Sequence, residues 1–373
     1  MARRQEQEQA REEVTEVAPD VLRMELPIRL PGLGHVNCYA ILDSEGATVV
    51  DPGLPGPGTW RAIRDRLRRA DLAVKDVHTV IVTHSHPDHF GGAGRFAKES
   101  GAKVVAHRAF SFGPMAAAEP EVSVDDLEAE RRATGEGGDG DPAPGEVEPS
   151  TQTAEEMRRA AIGKGRTPWG GRSERPPLRV RLKWRAMKLL ASSSIVPTIT
   201  HPVEHGDVLV LANREWFVVH TPGHTTDHFC LHDPESGVFV AGDHVLPTIT
   251  PHISGISSSP DPLSSFFYSL DRVGEITGVE TVLPAHGHPF SDLHDRCEAI
   301  KRHHHERLDK VKAISRDIGR PATVEAFMQQ LFKERSWGGM AESETYAHLE
   351  HLRLAGAAER SEDGSGRVLY LSG

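Results

Sequence analysis

Cysteine is scarce in this sequence, and long apolar runs are missing. The 373 residues include three cysteines, and Cys38, Cys230 and Cys297 lie far apart without a Cys-x-x-Cys spacing. This argues against a disulfide framework and against a thiolate zinc site, and it favours a reducing cytoplasm. No run of about 18 apolar residues occurs, so we expect no membrane-spanning helix.

Apolar residues are also rare at the N-terminus. The opening stretch MARRQEQEQAREEVTEV carries charges where a signal peptide would need an apolar core. We therefore expect a soluble protein in which residues 1–18 form a disordered leader. A single domain usually spans about 100–200 residues, so the length of the chain favours more than one domain.

The net charge of −11 is unevenly distributed. Residues 119–156 contain thirteen acidic and two basic side chains, whereas residues 158–188 contain eleven basic side chains and one acidic one. These blocks are either two solvated faces that pair with each other or a basic lid over an anionic substrate. The stretch GEGGDGDPAPGEVEPS has no apolar period, so we expect an insertion over residues 112–195 that is functional or disordered.

Outside this insertion, strand and helix patterns alternate. Short β-branched runs such as VHTVIVTH and AKVVAH alternate with helical patterns such as TWRAIRDRLRRADL. This order predicts a layered α/β domain over residues 19–295. Three helical patterns and a hairpin follow, and they predict a small winged-helix-like α+β domain over residues 296–373.

The stretch THSHPDHFGG, residues 83–92, concentrates metal-binding side chains on one turn after a predicted strand. His84 and His86 project the same way from extended backbone, while Asp88 and His89 face a second point nearby. This geometry favours two metal ions over one. Imidazole and carboxylate ligands suit zinc, with iron or manganese as alternatives.

Further candidate ligands follow three other apolar strands. His224 lies in VVHTPGHTTDH, Asp243 in VFVAGDHV and His286 in VETVLPAHGHP, each beside a glycine. A single histidine in a turn is usually an ordinary surface or core residue. Five histidines and two aspartates at four strand ends make a shared metal site the better interpretation.

Together, HSHPDH, TPGHT, AGD and PAHG resemble the motifs of the metallo-β-lactamase superfamily over roughly residues 20–295. The resemblance implies a four-layered αβ/βα sandwich with the site at one edge. It implies that His84, His86 and His224 bind one metal ion, that Asp88, His89 and His286 bind the second, and that Asp243 bridges them.

Asp51 in VVDPG also matches an aspartate of this family. It could orient the distal N–H of a ligand histidine, or it could simply begin the Pro-Gly turn. Two dications at a shared water would generate hydroxide at neutral pH, and Asp88 and Asp243 would position it as the nucleophile.

An aspartate at the bridging position is similar to the glyoxalase II-like branch, and the C-terminal run is similar to hydrolases with a winged-helix extension. This resemblance implies a hydrolase of thioesters or related esters, with acyl-coenzyme A or acyl-glutathione as substrate types. An RNA-cleaving nuclease and a lactone hydrolase are the alternatives. Residues 300–373 hold twelve basic and eleven acidic side chains, which disfavours nucleic acid as a partner.

Residues for the substrate side are harder to assign. His244 and His288, adjacent to the candidate ligands, could line the substrate pocket or face solvent. Trp169 and Trp184 could hold the diphosphate and adenine of an acyl-coenzyme A, or pack within the insertion.

The C-terminal part contains a run of three histidines. His303, His304 and His305 cannot converge on one ion because consecutive helical residues diverge by about 100°. The C-terminal extension is a candidate homodimer surface.

Overall fold

The computed structural model describes residues 4–30, 32–112, 167–170 and 196–373. Most of the predicted insertion, including the acidic run, nearly all of the basic run and Trp184, lies outside the described residues. The remaining chain forms seven helices of α type and three β-sheets within the described ranges.

The first sheet has seven strands in sequential order. Its first four strands pair antiparallel, and the next three pair parallel, so that the strands before the THSHPDH turn and after it run side by side. The strands are β1 (Val14–Ala18), β2 (Val21–Leu30), β3 (Leu33–Asp43), β4 (Gly46–Val50), β5 (Val77–Val82), β6 (Lys103–His107) and β7 (His201–Val203).

The second sheet has five strands in the order β12-β11-β10-β9-β8. The pairs are antiparallel except β11 with β12, which are parallel and therefore end at the same edge. The strands are β8 (Val208–Leu211), β9 (Arg214–His220), β10 (Phe229–Asp233), β11 (Val238–Gly242) and β12 (Thr281–Pro284).

The helices follow from local sequence signals. In the first, Trp60, Ile63 and Leu67 are buried at helical spacing with arginines elsewhere on the surface. In the fourth, Asp261 caps the start by accepting from Ser264 N at 2.9 Å, with proline in the first turn. The helices are α1 (Pro57–Arg69), α2 (Pro87–Phe90), α3 (Ala93–Ser100), α4 (Pro262–Gly274), α5 (Leu293–Ile318), α6 (Val324–Leu331) and α7 (Gly339–Leu354).

Three hydrophobic clusters define a four-layered sandwich. One lies between the two sheets and joins residues such as Ile81 of β5 to Phe229 of β10. A second packs α1 and α3 on the outer face of the first sheet. The third packs α4 and α5 on the outer face of the second sheet. The αβ/βα arrangement expected from the sequence is therefore present, with helices outside and sheets inside.

The C-terminal elements share the third cluster. Phe266 of α4 belongs to the same buried cluster as Val311 of α5 and Tyr370 of the last strand, β15 (Val368–Ser372). That strand lies between β13 (Ala322–Thr323) and β14 (Ala358–Glu362) in a small third sheet. The core is thus continuous across the predicted boundary at residues 295 and 296, and the winged-helix identity of this part stays a prediction.

The N-terminal segment differs from the predicted disordered leader. Residues Gln5–Gln7 form a 3-10 helix, and β1 pairs antiparallel with β2. Glu6 is fully buried and accepts hydrogen bonds from Thr248 N and Ile249 N at 2.9 and 3.2 Å. The prediction was wrong for residues 4–18, because this segment buries Glu6 in the fold and adds β1 to the first sheet.

Two other expectations concern apolar runs and cysteine. Within the described ranges, no helix is long and apolar enough to cross a membrane. Cys38, Cys230 and Cys297 are all buried free thiols.

Trp169 is also buried. Its indole N–H donates to Glu342 at 2.9 Å, so this tryptophan packs in the core.

Candidate metal centre

The THSHPDH turn connects β5 to α2 at the edge where the two sheets meet. His86 has extended backbone angles of −78° and 141° and precedes the first helical residue, and Pro87 occupies the first helical position. Asp88 and His89 lie in the single turn that follows and are both buried. This change from strand to helix points the side chains of the two halves at neighbouring positions.

The first donor group brings together His84, His86, His224 and Asp243. His84 Nε2 and His224 Nε2 lie 3.0 and 3.1 Å from His86 Nδ1. Nitrogen ligands at about 2.0–2.1 Å from a tetrahedral zinc ion would be separated by about 3.3–3.4 Å. The three imidazoles are thus close to the spacing that one shared ion requires.

The second donor group consists of Asp88, His89 and His286. Asp88 Oδ2 lies 3.8 Å from His89 Nε2 and 3.7 Å from His286 Nε2. Asp243 reaches both groups, since its Oδ2 lies 3.5 Å from His224 Nε2 and its Oδ1 lies 3.3 Å from His286 Nε2. Its carboxylate therefore has the position of a bridge.

The distal nitrogens of four candidate ligands face an oxygen atom. His89 Nδ1 lies 2.9 Å from Asp51 Oδ2, and His84 Nδ1 lies 3.1 Å from Thr83 Oγ1. His224 Nδ1 and His286 Nδ1 lie 2.8 and 2.7 Å from backbone carbonyl oxygens. If each Nδ1 carries the proton and donates it, each Nε2 presents a lone pair to the centre, as ligand histidines require.

The carbonyl acceptors belong to His252 and His35. Asp51 is in turn held by Thr83, whose backbone N–H and hydroxyl donate to it at 2.9 and 2.7 Å. Asp51 is buried and has a φ of 52°. The turn position and the contact with His89 are therefore both present in the structure.

Unpaired atoms show that protein groups alone do not satisfy this centre. His89 Nε2, His286 Nε2 and Asp243 Oδ1 are buried and have no hydrogen-bond partner among the described residues. Buried polar atoms are normally bonded, and these three point at one another. Nitrogen and oxygen donors arranged in this way fit two divalent ions.

The electrostatics of the centre favour bound cations. Burial alone would raise the pKa of Asp243, yet His286 and His89 hold it well below its usual range. Burial alone would lower the pKa of His89, yet Asp243, Asp51 and Asp88 raise it well above its ordinary value. The carboxylates therefore stabilise positive charge at this centre, and metal ions would replace the protons that the histidines otherwise bind.

In the first donor group, burial is the main influence on the pKa values of two histidines. It lowers the pKa of His84 and of His86 far below the ordinary value, and neighbouring imidazoles lower both further. These two rings are therefore neutral at physiological pH and available as ligands.

His228 contributes to the centre but escaped the sequence interpretation. Its Nε2 accepts from the Asp243 backbone N–H at 3.0 Å, and its Nδ1 lies 2.7 Å from Thr221 Oγ1. Gly242 has a φ of 51°, and a Cβ there would lie 2.6 Å from His228 Nε2. The spacing of four residues after His224 in HTTDH was the available signal.

The residues expected on the substrate side have diverse environments. His244 is fully buried and packs against Phe266 with ring centroids 5.1 Å apart. His288 is partly exposed and lies 3.1 Å from Glu8 and 3.2 Å from Arg23. Trp184 lies outside the described residues.

The histidine run on α5 behaves as the helical geometry predicts. His304 points into the core beside His348, at 3.1 Å between ring nitrogens. His305 stacks on Phe267, and His303 lies 3.1 Å from Arg307. The three rings therefore do not form a metal site.

A cavity of about 300 Å³ opens beside the first donor group. His86 and His224 form part of its wall, and Phe112 and Ile256 stand partly exposed at its lining. Hydroxyl side chains provide much of the remainder, namely Ser85, Ser111, Thr225, Thr226, Ser254, Ser257 and Ser258. A small molecule could reach the candidate ligands from this side.

Comparison with known proteins agrees with this geometry. A family model described as the metallo-beta-lactamase superfamily matches residues 31–296. A probable metallo-hydrolase of Bacillus subtilis, YqjP, is 23% identical over 93% of this chain and 96% of its own length. A bovine acyl-coenzyme A thioesterase, MBLAC2, is 24% identical over 69% of this chain and 74% of its own.

Solved structures show the same fold. A metallo-beta-lactamase family protein from Thermus thermophilus aligns with a TM-score of 0.69 and 27% identity over 96% of this chain and 100% of that one. A beta-lactamase domain protein from Burkholderia ambifaria aligns with a TM-score of 0.69 and 24% identity, covering 98% of this chain and 96% of that one.

Proposed function

Because the chain belongs to the metallo-β-lactamase superfamily and is a metal-dependent hydrolase, we propose that it cleaves a thioester or related ester of the acyl-coenzyme A or acyl-glutathione type. The observation that carries this proposal is the position of Asp243 between two histidine groups whose free nitrogens converge. Such a pair of sites supports attack by water without a serine or cysteine nucleophile.

The proposed ligands divide as the two groups do. His84, His86 and His224 would hold one zinc ion, Asp88, His89 and His286 would hold the other, and Asp243 would contribute a ligand oxygen to each. Zinc is favoured over iron or manganese because imidazole nitrogens dominate the donor set. Bound there, the ions would act as Lewis acids and lower the pKa of a coordinated water.

The chain's own groups have two tasks in the reaction. Asp88 and Asp243 accept hydrogen bonds from the attacking water and so orient it toward the ester carbonyl. Since the pKa of Asp243 is held far below its usual range by His286 and His89 despite burial, this carboxylate orients better than it accepts a proton. Asp51, through His89, is a positioning residue.

The substrate class is proposed from the cavity beside His86 and His224. Its hydroxyl groups suit a polar acyl carrier, and Phe112 and Ile256 offer apolar contact to an acyl group. The similarity to a thioesterase supports the same class. The nearly balanced charge of residues 300–373 gives no support to RNA as the substrate.

The test is a substrate screen on one zinc-loaded preparation. Acyl-coenzyme A, acyl-glutathione, a lactone and single-stranded RNA are compared, and we expect thioester turnover to exceed the others. Asp243→Asn should reduce it by at least about 100-fold, since even partners of metal ligands contribute 10–100-fold. Asp309→Asn, an exposed matched control, should retain activity. Cleavage of RNA or lactone without thioester turnover would contradict the proposal.

We further infer a small anionic substrate, a homodimer formed through the C-terminal extension and a cytoplasmic location. The three buried free thiols support a reducing compartment. Sedimentation of the full chain would test the dimer, and a monomer at micromolar concentration would contradict it.

A further inference from the structure

A second cavity lies next to residues 248–250, which follow Asp243 in the chain. Its volume is about 490 Å³, and it is bounded by α5, by residues 248–250, by the N-terminal segment and by α7. Its charged lining consists of four arginines and two glutamates: Arg4, Arg296, Arg302, Arg307, Glu306 and Glu344. The excess of two positive charges contrasts with the net charge of −11 of the whole chain.

Two of the arginines are fixed as walls of this cavity. Arg296 donates from Nε and Nη2 to the carbonyl oxygens of Leu246 and Ile249, both at 2.6 Å. Arg307 pairs with Glu344, which also faces His252 at 3.5 Å. The negative charge of Glu344 is therefore already matched by the charge of Arg307.

The other two arginines have unused donors. Within the described part of the chain, the side chains of Arg4 and Arg302 make no hydrogen bond or ion pair, although both line the cavity. A guanidinium group donates to two oxygens of a phosphate at once, and it does so better than an ammonium group. The free positive charge in this cavity is therefore suited to phosphate.

Short chain segments and contacts link residues of this cavity to residues of the candidate metal centre. Thr248 follows Asp243 by five residues, so their Cα atoms lie within about 18 Å of each other. On the α7 side, Glu344 contacts His252, whose carbonyl oxygen lies 2.8 Å from His224 Nδ1. The two sites are therefore near each other in the fold but distinct, so a phosphate held in the cavity is not itself the reacting group.

We propose that this arginine cavity binds the phosphate or diphosphate of the substrate's carrier, as found in an acyl-coenzyme A, while the acyl bond lies at the metal centre. This inference rests on the proposed function and narrows it, since acyl-glutathione carries no phosphate. Phosphate on the substrate and free phosphate share this chemistry, and the experiment separates them.

Charge reversal on α5 provides the test. Arg302→Glu alters the cavity, whereas Arg316→Glu makes the same change of charge at an exposed position of the same helix outside it. With zinc-loaded full-length protein, we expect Arg302→Glu to raise KM for an acyl-coenzyme A at least tenfold with little change in kcat. KM for the same acyl group on N-acetylcysteamine, which lacks phosphate, should stay within twofold. Arg316→Glu should leave both unchanged.

A binding measurement keeps this test independent of turnover. Calorimetric titration with ADP and with inorganic phosphate should show ADP binding that weakens at least tenfold in Arg302→Glu and in Arg4→Glu but not in Arg316→Glu. Stronger binding of inorganic phosphate than of ADP would overturn the carrier assignment in favour of free phosphate. Equal ADP binding by Arg302→Glu and Arg316→Glu would overturn the site itself.

The two proposals can fail separately. Thioester turnover with equal KM in both α5 variants would remove the cavity assignment and leave the thioesterase function. If Arg302→Glu loses ADP binding and Arg316→Glu does not, while the wild-type protein hydrolyses no thioester, the phosphate site remains and the thioesterase function is removed.

Discussion

At the scale of single residues, the candidate centre depends on which nitrogen of each imidazole carries its proton. His224 and His286 face backbone carbonyls with Nδ1, and a carbonyl can only accept. In the neutral imidazoles the Nε2 atoms then carry the lone pairs, and His286 Nε2 is buried without a hydrogen-bond partner among the described residues. The backbone therefore selects the tautomer that a metal site needs before any ion binds.

Gly242 is the residue whose side chain must be absent. Its φ of 51° and the position of His228 leave no room for a Cβ, which would lie 2.6 Å from His228 Nε2. Gly242→Ala should therefore displace His228 or Asp243. We expect at least tenfold loss of activity together with loss of bound metal, measured by metal analysis of the purified variant.

Gly356→Ala is the matched control for this prediction. Gly356 has a φ of 71° but no atom within 4 Å of its ideal Cβ. It shares the left-handed backbone penalty of about 1–2 kcal/mol without the clash. Equal metal content and activity in the two variants would show that backbone strain alone, and not the His228 contact, acts at Gly242.

At the scale of elements, the centre is a meeting of strand ends. Ligand residues follow β5, β9, β11 and β12, and the parallel pairing of β11 with β12 brings Asp243 and His286 to one edge. The positions of the ligand residues were predictable because each ligand motif follows an apolar run and includes or adjoins a glycine. The HTTDH spacing pointed to His228 but not to its contact with the Asp243 backbone, and no pattern pointed to the His252 carbonyl, because both roles arise from contacts between separate loops.

The N-terminal segment anchors the loop that follows Asp243. Glu6 accepts from Thr248 N, Thr248 Oγ1 and Ile249 N. Hydrogen bonds to a charged group contribute about 1.5–3 kcal/mol, so Glu6→Ala should reduce the free energy of unfolding by about that amount. Urea denaturation of the metal-loaded protein measures the difference.

Glu13→Ala serves as the comparison, since Glu13 is exposed and belongs to the same segment. It should change the free energy of unfolding by less than about 0.5 kcal/mol. Equal effects of the two substitutions would mean that the N-terminal segment does not hold the loop through Glu6.

At the scale of the whole molecule, the layers of the fold were predictable from the sequence, whereas the contacts between segments far apart in the chain were not. Alternating strands and helices in residues 19–111 and 196–295 indicated a layered α/β domain, since periodicity reflects burial directly, and the resemblance of the motifs implied the sandwich. The partners of Glu6, the position of Trp169 against Glu342 and the arginine cavity depend on residues more than a hundred positions apart. Local sequence contains no signal for such pairs.

The whole fold should also respond to acid through histidines that it buries. Burial lowers the pKa of His107 and His304 to about 2 and that of His348 to about 4, with nearby His220 and His348 contributing to the first two. In the unfolded chain the value is about 6.5. As pH falls below 6.5, the unfolded chain therefore takes up protons that the folded chain does not, and stability is lost.

Between pH 6.5 and its pKa in the folded chain, each such histidine should lower the free energy of unfolding by about 1.4 kcal/mol for each unit by which the pH falls. Replacing His304 and His348 together by leucine should therefore flatten the dependence of unfolding free energy on pH between 6 and 5 by about 2–3 kcal/mol per unit. His201→Leu, at an exposed position, should leave it unchanged. Urea denaturation in a chelator separates this effect from metal loss, and an unaltered slope in the double variant would contradict the assignment of the acid response to the buried pair.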